Sequence, residues 1–94
     1  MKGKIVVITG ASGGIGSALA ETFSRQGAVT VLAARSLGAM NELAARLPGP
    51  ADVVELDVTS DASVAEAVRG IVQRHGRGDA WINNAGHGAF KAFA

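Results

Sequence analysis

The chain has 94 residues, 48% of them apolar and 18% charged, with thirteen glycines, two prolines and no cysteine. That is room for one small globular domain spanning 1–94 and excludes two; with no cysteine, disulfide scaffolds, thiolate metal sites and cysteine nucleophiles are excluded as well. Nine Lys and Arg against eight Asp and Glu leave a net charge of +1, so there is no broad basic field for nucleic acid or an acidic membrane surface.

Ile5-Val6-Val7-Ile8 is a β-branched run, apolar on both faces, set between Gly3 and the glycine cluster that follows Thr9. A central parallel strand has this pattern. Lys2 and Lys4 before it, with Ala18-Leu19-Ala20 beyond, imitate a secretory leader. Four apolar residues fall short of the roughly 7–15 that a leader needs, so the chain reads as cytoplasmic. No stretch approaches the roughly 20 apolar residues of a membrane span. From Ile15, the positions Ile15, Ala18, Leu19, Thr22 and Phe23 follow helical spacing with Glu21 and Arg25 on the other side, predicting an amphipathic helix that ends at Gly27. Val29 to Ala34 is a second buried strand. Leu37, Met40, Leu43, Ala44 and Leu47 trace a second helix, stopped by Pro48-Gly49-Pro50. Val53 to Leu56 is a third strand. Thr59 or Ser60 then caps a third helix with Asp61 in its first turn, Val64, Ala67, Val68, Ile71 and Val72 inward, and Gly76 at its close. Ala80-Trp81-Ile82 is a fourth strand leading into Asn83-Asn84-Ala85-Gly86, and the last eight residues show no period.

Strict alternation of strand and helix predicts an α/β fold with a parallel sheet. Right-handed crossovers lay the first two helices on one face and return the third across the other, giving strand order 3-2-1-4 with helices on both faces. The fourth strand is then a bare edge, which predicts pairing with more chain or a homo-oligomer through an exposed edge or face.

Thr9-Gly10-Ala11-Ser12-Gly13-Gly14-Ile15-Gly16 stands between the first strand and the first helix. A phosphate reaches the positive end of a helix only if the preceding turn has no side chains in the way, and Gly10, Gly14 and Gly16 meet that demand. A plain strand-to-helix turn is the competing reading of the same glycines. No Lys-Ser or Lys-Thr follows them, which excludes a Walker A loop. At the end of the second strand a dinucleotide site carries an acidic residue for the ribose 2′-hydroxyl of NAD or an Arg for the 2′-phosphate of NADP. Here the strand runs Ala33-Ala34-Arg35, so NADP(H) is expected over NAD(H), with Ser12 adding a hydroxyl contact. His75 sits where a cation suits the dipole of the third helix. Neither His75 nor His87 has Asp, Glu or Cys at ligand spacing, so no metal site is expected. Trp81 reads as core, Lys91 as solvated, and Phe90 and Phe93 as cover for the open edge.

Three separated motifs make the chain resemble the N-terminal, cofactor-binding half of the short-chain dehydrogenase/reductase family. The family's TGxxxGxG stands at Thr9 to Gly16, its Asp-Val after the third strand at Asp57-Val58, and its NNAG at Asn83 to Gly86. The resemblance implies a Rossmann-type fold, half of a doubly wound sheet. It implies that Gly10, Ser12, Gly13, Gly14, Ile15 and Gly16 form the phosphate loop and that Asp57 and Val58 flank the adenine. Asn83 would help hold the sheet, and Asn84, Ala85 and Gly86 would line the path of the ribose and nicotinamide. In the family a Tyr, lowered in pKa by a Lys four residues on, exchanges the proton while hydride passes at the nicotinamide. A Ser and a helical Asn complete that site. This chain contains no tyrosine, so no catalytic residue is assigned and these 94 residues are expected to be inactive alone. The expected function is the NADP(H)-binding part of an oxidoreductase that acts on an alcohol or carbonyl when complete, with a small-molecule substrate only if the chain continues. A non-catalytic dinucleotide-binding or oligomerising module derived from that family is the alternative.

Overall fold

Seven elements alternate along the chain: β1 (Ile5–Thr9), α1 (Gly14–Arg25), β2 (Val29–Ala34), α2 (Leu37–Arg46), β3 (Ala51–Glu55), α3 (Asp61–His75) and β4 (Ala80–Asn83). They belong to a computed structural model that describes residues 2–10 and 14–83. The strands form a single sheet in the order β3-β2-β1-β4, with every pairing parallel. This is the expected Rossmann-type order. β1 is buried along its whole length because it has a strand on each side and helices on both faces. Its β-branched side chains divide by parity. Val6 and Ile8 join Leu32, Ala20 of α1, and Met40 and Leu43 of α2 on one face, while Ile5 and Val7 join Val31, Ala33, and Ala67 and Ile71 of α3 on the other. Ile8, Leu32, Met40 and Ile71 lose all contact with solvent, which is worth about 1.5–3 kcal/mol for each side chain.

The structure corrects several details of the sequence reading. In α1 the buried residues are Gly16, Ala20 and Ser24, with Ala20 packed against the sheet and half-buried Leu19 and Phe23 beside it. Ile15, Ala18 and Thr22 point outward instead. The buried positions are small residues four apart, on one face of the helix, while Ile15 lies a residue off that line. The buried Ser24 is satisfied, since its Oγ accepts the Gly49 N–H at 2.8 Å. β3 begins at Ala51, two residues earlier than its apolar run, because the ladder to β2 already pairs Ala51 with Thr30 and Asp52 with Val31. β4 extends through Asn83, opposite Thr9. Leu37, expected inward, is 40% exposed at the start of α2.

α3 ends as its sequence requires. The Ser60 side chain accepts the Ser63 N–H at 3.2 Å, and Gly76 takes the left-handed conformation at φ +80° while its N–H reaches the Val72 carbonyl. Both are standard ways of satisfying helix-end backbone groups. At the opposite end of the sheet from the site described below, Asp79 clasps β1. Its carboxylate accepts the Ile5 N–H at 2.7 Å and its own N–H donates to the Ile5 carbonyl at 2.9 Å. Arg77 braces that carboxylate at 3.1 Å.

Candidate cofactor-binding site

Parallel pairing collects the carboxyl ends of all four strands on one rim, at Thr9, Ala34, Glu55 and Asn83. The chain proceeds from β1 to β2 on one side and reaches β4 on the other, so the crevice where crossovers diverge lies beyond the end of β1. Thr9 closes the strand there. Its buried hydroxyl donates to Asn83 Oδ1 at 3.0 Å, tying β1 to β4 at the rim. Gly10 follows with φ +65°, a conformation that costs an L-residue roughly 1–2 kcal/mol. Its N–H donates to the Ala33 carbonyl at 3.0 Å.

The turn opens into a cleft of about 290 Å³ lined by Gly10, Ala33, Ala34, Arg35, Ser36, Leu56 and Val58. Gly10, Arg35 and Val58, singled out from three separate places in the sequence, therefore meet in one cavity. Ala33, Ala34, Leu56 and Ser36 complete the walls and were missed. The small residues before Arg35 were the available signal for the first two. For Ser36 it was the position before α2, where its side chain makes no capping bond. Among the described residues, the large apolar side chains left exposed are Ile15 (73%), Val58 (43%) and Leu37 (40%). They belong to the first turn of α1, the segment after β3 and the first turn of α2. Val58 lines the cleft itself, and an exposed apolar group at a concave site suits an apolar or aromatic ligand.

Gly14 opens α1, and a Cβ built there would meet nothing within 4 Å. Among the described residues neither backbone conformation nor packing demands glycine at 14, so a ligand could approach the helix N-terminus closely there. Gly16, by contrast, is buried under α1 against the sheet. Asp57 is held by its own turn: Oδ1 accepts the Thr59 N–H at 3.0 Å and the Thr59 hydroxyl at 2.6 Å, and the Asp57 N–H donates to Ser63 Oγ at 3.0 Å. The two Thr59 bonds lower the carboxyl below its ordinary range, and the Arg35 charge lowers it further. Ser12, Gly13, Asn84, Ala85 and Gly86, together with His87, Phe90, Lys91 and Phe93, lie outside the described residues. Asn83 is the described part of its motif. A glycine turn, a helix N-terminus, apolar walls and a single guanidinium fit a dinucleotide phosphate and its adenosine half.

His75 does more than face the α3 dipole. Its Nε2 lies 3.1 Å from Asp52 Oδ2, beside Arg74 Nη1 at 2.9 Å from the same oxygen. Among the described residues no three His, Asp or Glu side chains assemble as a metal site, and no helix is long and apolar enough to cross a membrane.

The family model for short chain dehydrogenases matches residues 4–94. An uncharacterized oxidoreductase of Staphylococcus epidermidis is 41% identical over 86 residues, covering 92% of this chain and 37% of the relative. Meso-2,3-butanediol dehydrogenase of Serratia marcescens is 43% identical over 84 residues, covering 88% of this chain and 34% of that one. The crystal structure of a metagenomic short-chain oxidoreductase in complex with NADP superposes with a TM-score of 0.87 at 34% identity, over 92% of this chain and 40% of that chain. The chain thus spans a little over a third of the length of the curated relatives it matches.

Proposed function

The chain belongs to the short-chain dehydrogenase family, and from that premise we propose that residues 1–94 form one dinucleotide-binding domain of an oxidoreductase that prefers NADP(H) to NAD(H). The observation that carries this reading is the meeting of Gly10, Arg35 and Val58 in one cleft at the carboxyl ends of the strands. Gly10, Ser12, Gly13, Gly14 and Ile15 would hold the pyrophosphate at the start of α1, with Gly16 seating that helix on the sheet. Arg35 would grip the 2′-phosphate through charge-assisted bonds, and the adjoining Ser36 hydroxyl, which makes no capping bond, is free to join it. Asp57 and Val58 would flank the adenine, with Leu56 adding to the wall beside Val58 and Thr59 holding the Asp57 carboxylate. Asn84, Ala85 and Gly86 would guide the ribose and nicotinamide, their approach set by the Thr9–Asn83 bond. When bound, the nicotinamide supplies hydride exchange with an alcohol or carbonyl carbon.

The alternative reading is a dinucleotide-binding or oligomerising module derived from that family, distinguished from the first by whether NADPH-dependent turnover accompanies binding. Self-association or further strand pairing would use the edge of β4, which no described strand covers. Arg35→Ala tests the cofactor assignment. It should weaken NADPH by about 1–3 kcal/mol while leaving NADH nearly unchanged, and equal losses for both would sink the phosphate role.

A further inference from the structure

The other edge of the sheet, β3, is built differently from β4. The Thr30 N–H donates to the Pro50 carbonyl at 3.1 Å, and the Leu56 N–H donates to the Ala34 carbonyl at 3.0 Å. In a parallel strand the N–H and C=O of one residue point the same way, so even-numbered residues of β3 face β2 and Ala51, Val53 and Glu55 turn theirs outward. The middle one is not open. Asp52 Oδ1 accepts the outward Val53 N–H at 2.8 Å. The same carboxylate receives Arg74 Nη1 on both oxygens, at 3.0 and 2.9 Å, and stands 3.1 Å from His75 Nε2, both from the last turn of α3.

An outward N–H at the centre of an edge strand is the group that an added strand would pair with first. Here it is covered by a carboxylate that two side chains from a different element hold in place. β3 is also self-complementary. Val53 is the middle of the five residues Ala51–Glu55, so two copies meeting antiparallel about Val53 would bring Val53 against Val53 and Ala51 against Glu55. The outward groups of each copy would then face one another, with no pair of like charges directly opposed. We propose that Asp52, held by Arg74 and His75, is a latch that closes the β3 edge to pairing with a second copy of this chain.

Opening the latch means breaking the carboxylate away from three donors and leaving its charge at a strand interface. From α3 the groups facing Asp52 are Arg74 and His75. Its ladder partner on β2 is the uncharged Val31, and Glu55 is the other acid on its own strand. Burial would raise the Asp52 carboxyl, but the bonds from Arg74, His75 and Val53 outweigh it and hold the group below its ordinary value. Asp52 is therefore charged at neutral pH, the form in which all three groups hold it.

Sedimentation velocity at neutral pH over a range of concentrations tests this. The protein carrying Asp52→Ala should self-associate at least about tenfold more tightly than the unchanged protein. Adding Val53→Pro should return it to the unchanged behaviour, because proline has no N–H to offer and position 53 gives none to the ladder. Unaltered association of a folded Asp52→Ala protein, or tightened association that survives Val53→Pro, would overturn the proposal. If circular dichroism shows that Asp52→Ala does not fold, Arg74→Gln with His75→Gln decides, since it keeps the carboxylate and removes its hold. Faster amide exchange at Val53 and a smaller shift towards association are expected there, and unchanged exchange would overturn the proposal.

Discussion

Gly14→Ala separates the ligand's demands from those of the fold. A Cβ at this position meets nothing within 4 Å, and its φ is not in the left-handed region. Alanine at the first residue of α1 should therefore stabilise the chain, by up to about 0.4–1 kcal/mol through a less flexible unfolded state. For a domain of this length the unfolding entropy is on the order of 0.2 kcal/mol/K, so the thermal midpoint should rise by about 2–5 °C. If phosphate oxygens approach the helix N-terminus at Gly14, the same methyl group stands in their way. Overpacking of this size costs about 1–3 kcal/mol, a loss of roughly 5- to 150-fold in dinucleotide affinity. Gly10→Ala provides the contrast, because φ +65° there imposes about 1–2 kcal/mol of strain before any ligand arrives. Thermal melts and NADPH titrations of both variants give four readings. Gly14→Ala should gain stability and lose ligand, whereas Gly10→Ala should lose both. A Gly14→Ala protein that binds NADPH as well as the unchanged chain would refute the placement of the phosphate at the start of α1.

Two further outcomes follow from contacts away from the glycines. Thr9→Val keeps the buried shape but removes the donor to Asn83 Oδ1; it should lower stability by about 0.5–1.5 kcal/mol in denaturant unfolding, and an unchanged midpoint would mean that the rim bond contributes nothing. The carboxyls of Asp52, Asp57 and Asp79 all lie below the ordinary 3.8 in the folded chain. For Asp79 the main cause is the Ile5 N–H, with Arg77 adding to it. A lowered folded pKa means stability that is fully present above the unfolded value and lost as pH falls through the folded one. The melting temperature should hold down to about pH 5 and fall below about pH 4, and Asp79→Asn should flatten that fall. An identical acid profile in the variant would remove Asp79 from the account.

Strand order was readable in advance because four short apolar runs separated by helical periods leave few right-handed topologies. Gly10 and Arg35 were readable for a related reason, since each stands directly after one of the strands that those runs form. The face of α1 was not. Counting apolar residues favours Ile15, yet the residues that α1 buries are Gly16, Ala20 and Ser24, which are small rather than strongly apolar. Asp52 looked like a residue before the third strand, because a carboxylate on an apolar edge makes sense only once Arg74 and His75 arrive from 22 and 23 positions away. Thr9 and Asn83 stand 74 positions apart, and their bond exists only because β1 and β4 pair in one particular register. Leu56 and Ser36 belong to the cleft for the same reason, placed by pairing that no local pattern encodes.

A calorimetric titration of the 94-residue chain with NADPH and with NADH, at one fixed salt concentration, tests the central claim most directly. Saturable binding of both, with NADPH tighter by about tenfold or more, is the predicted result, from the charge-assisted bonds that Arg35 offers the 2′-phosphate. A folded chain that binds neither cofactor, or binds both equally, would contradict it.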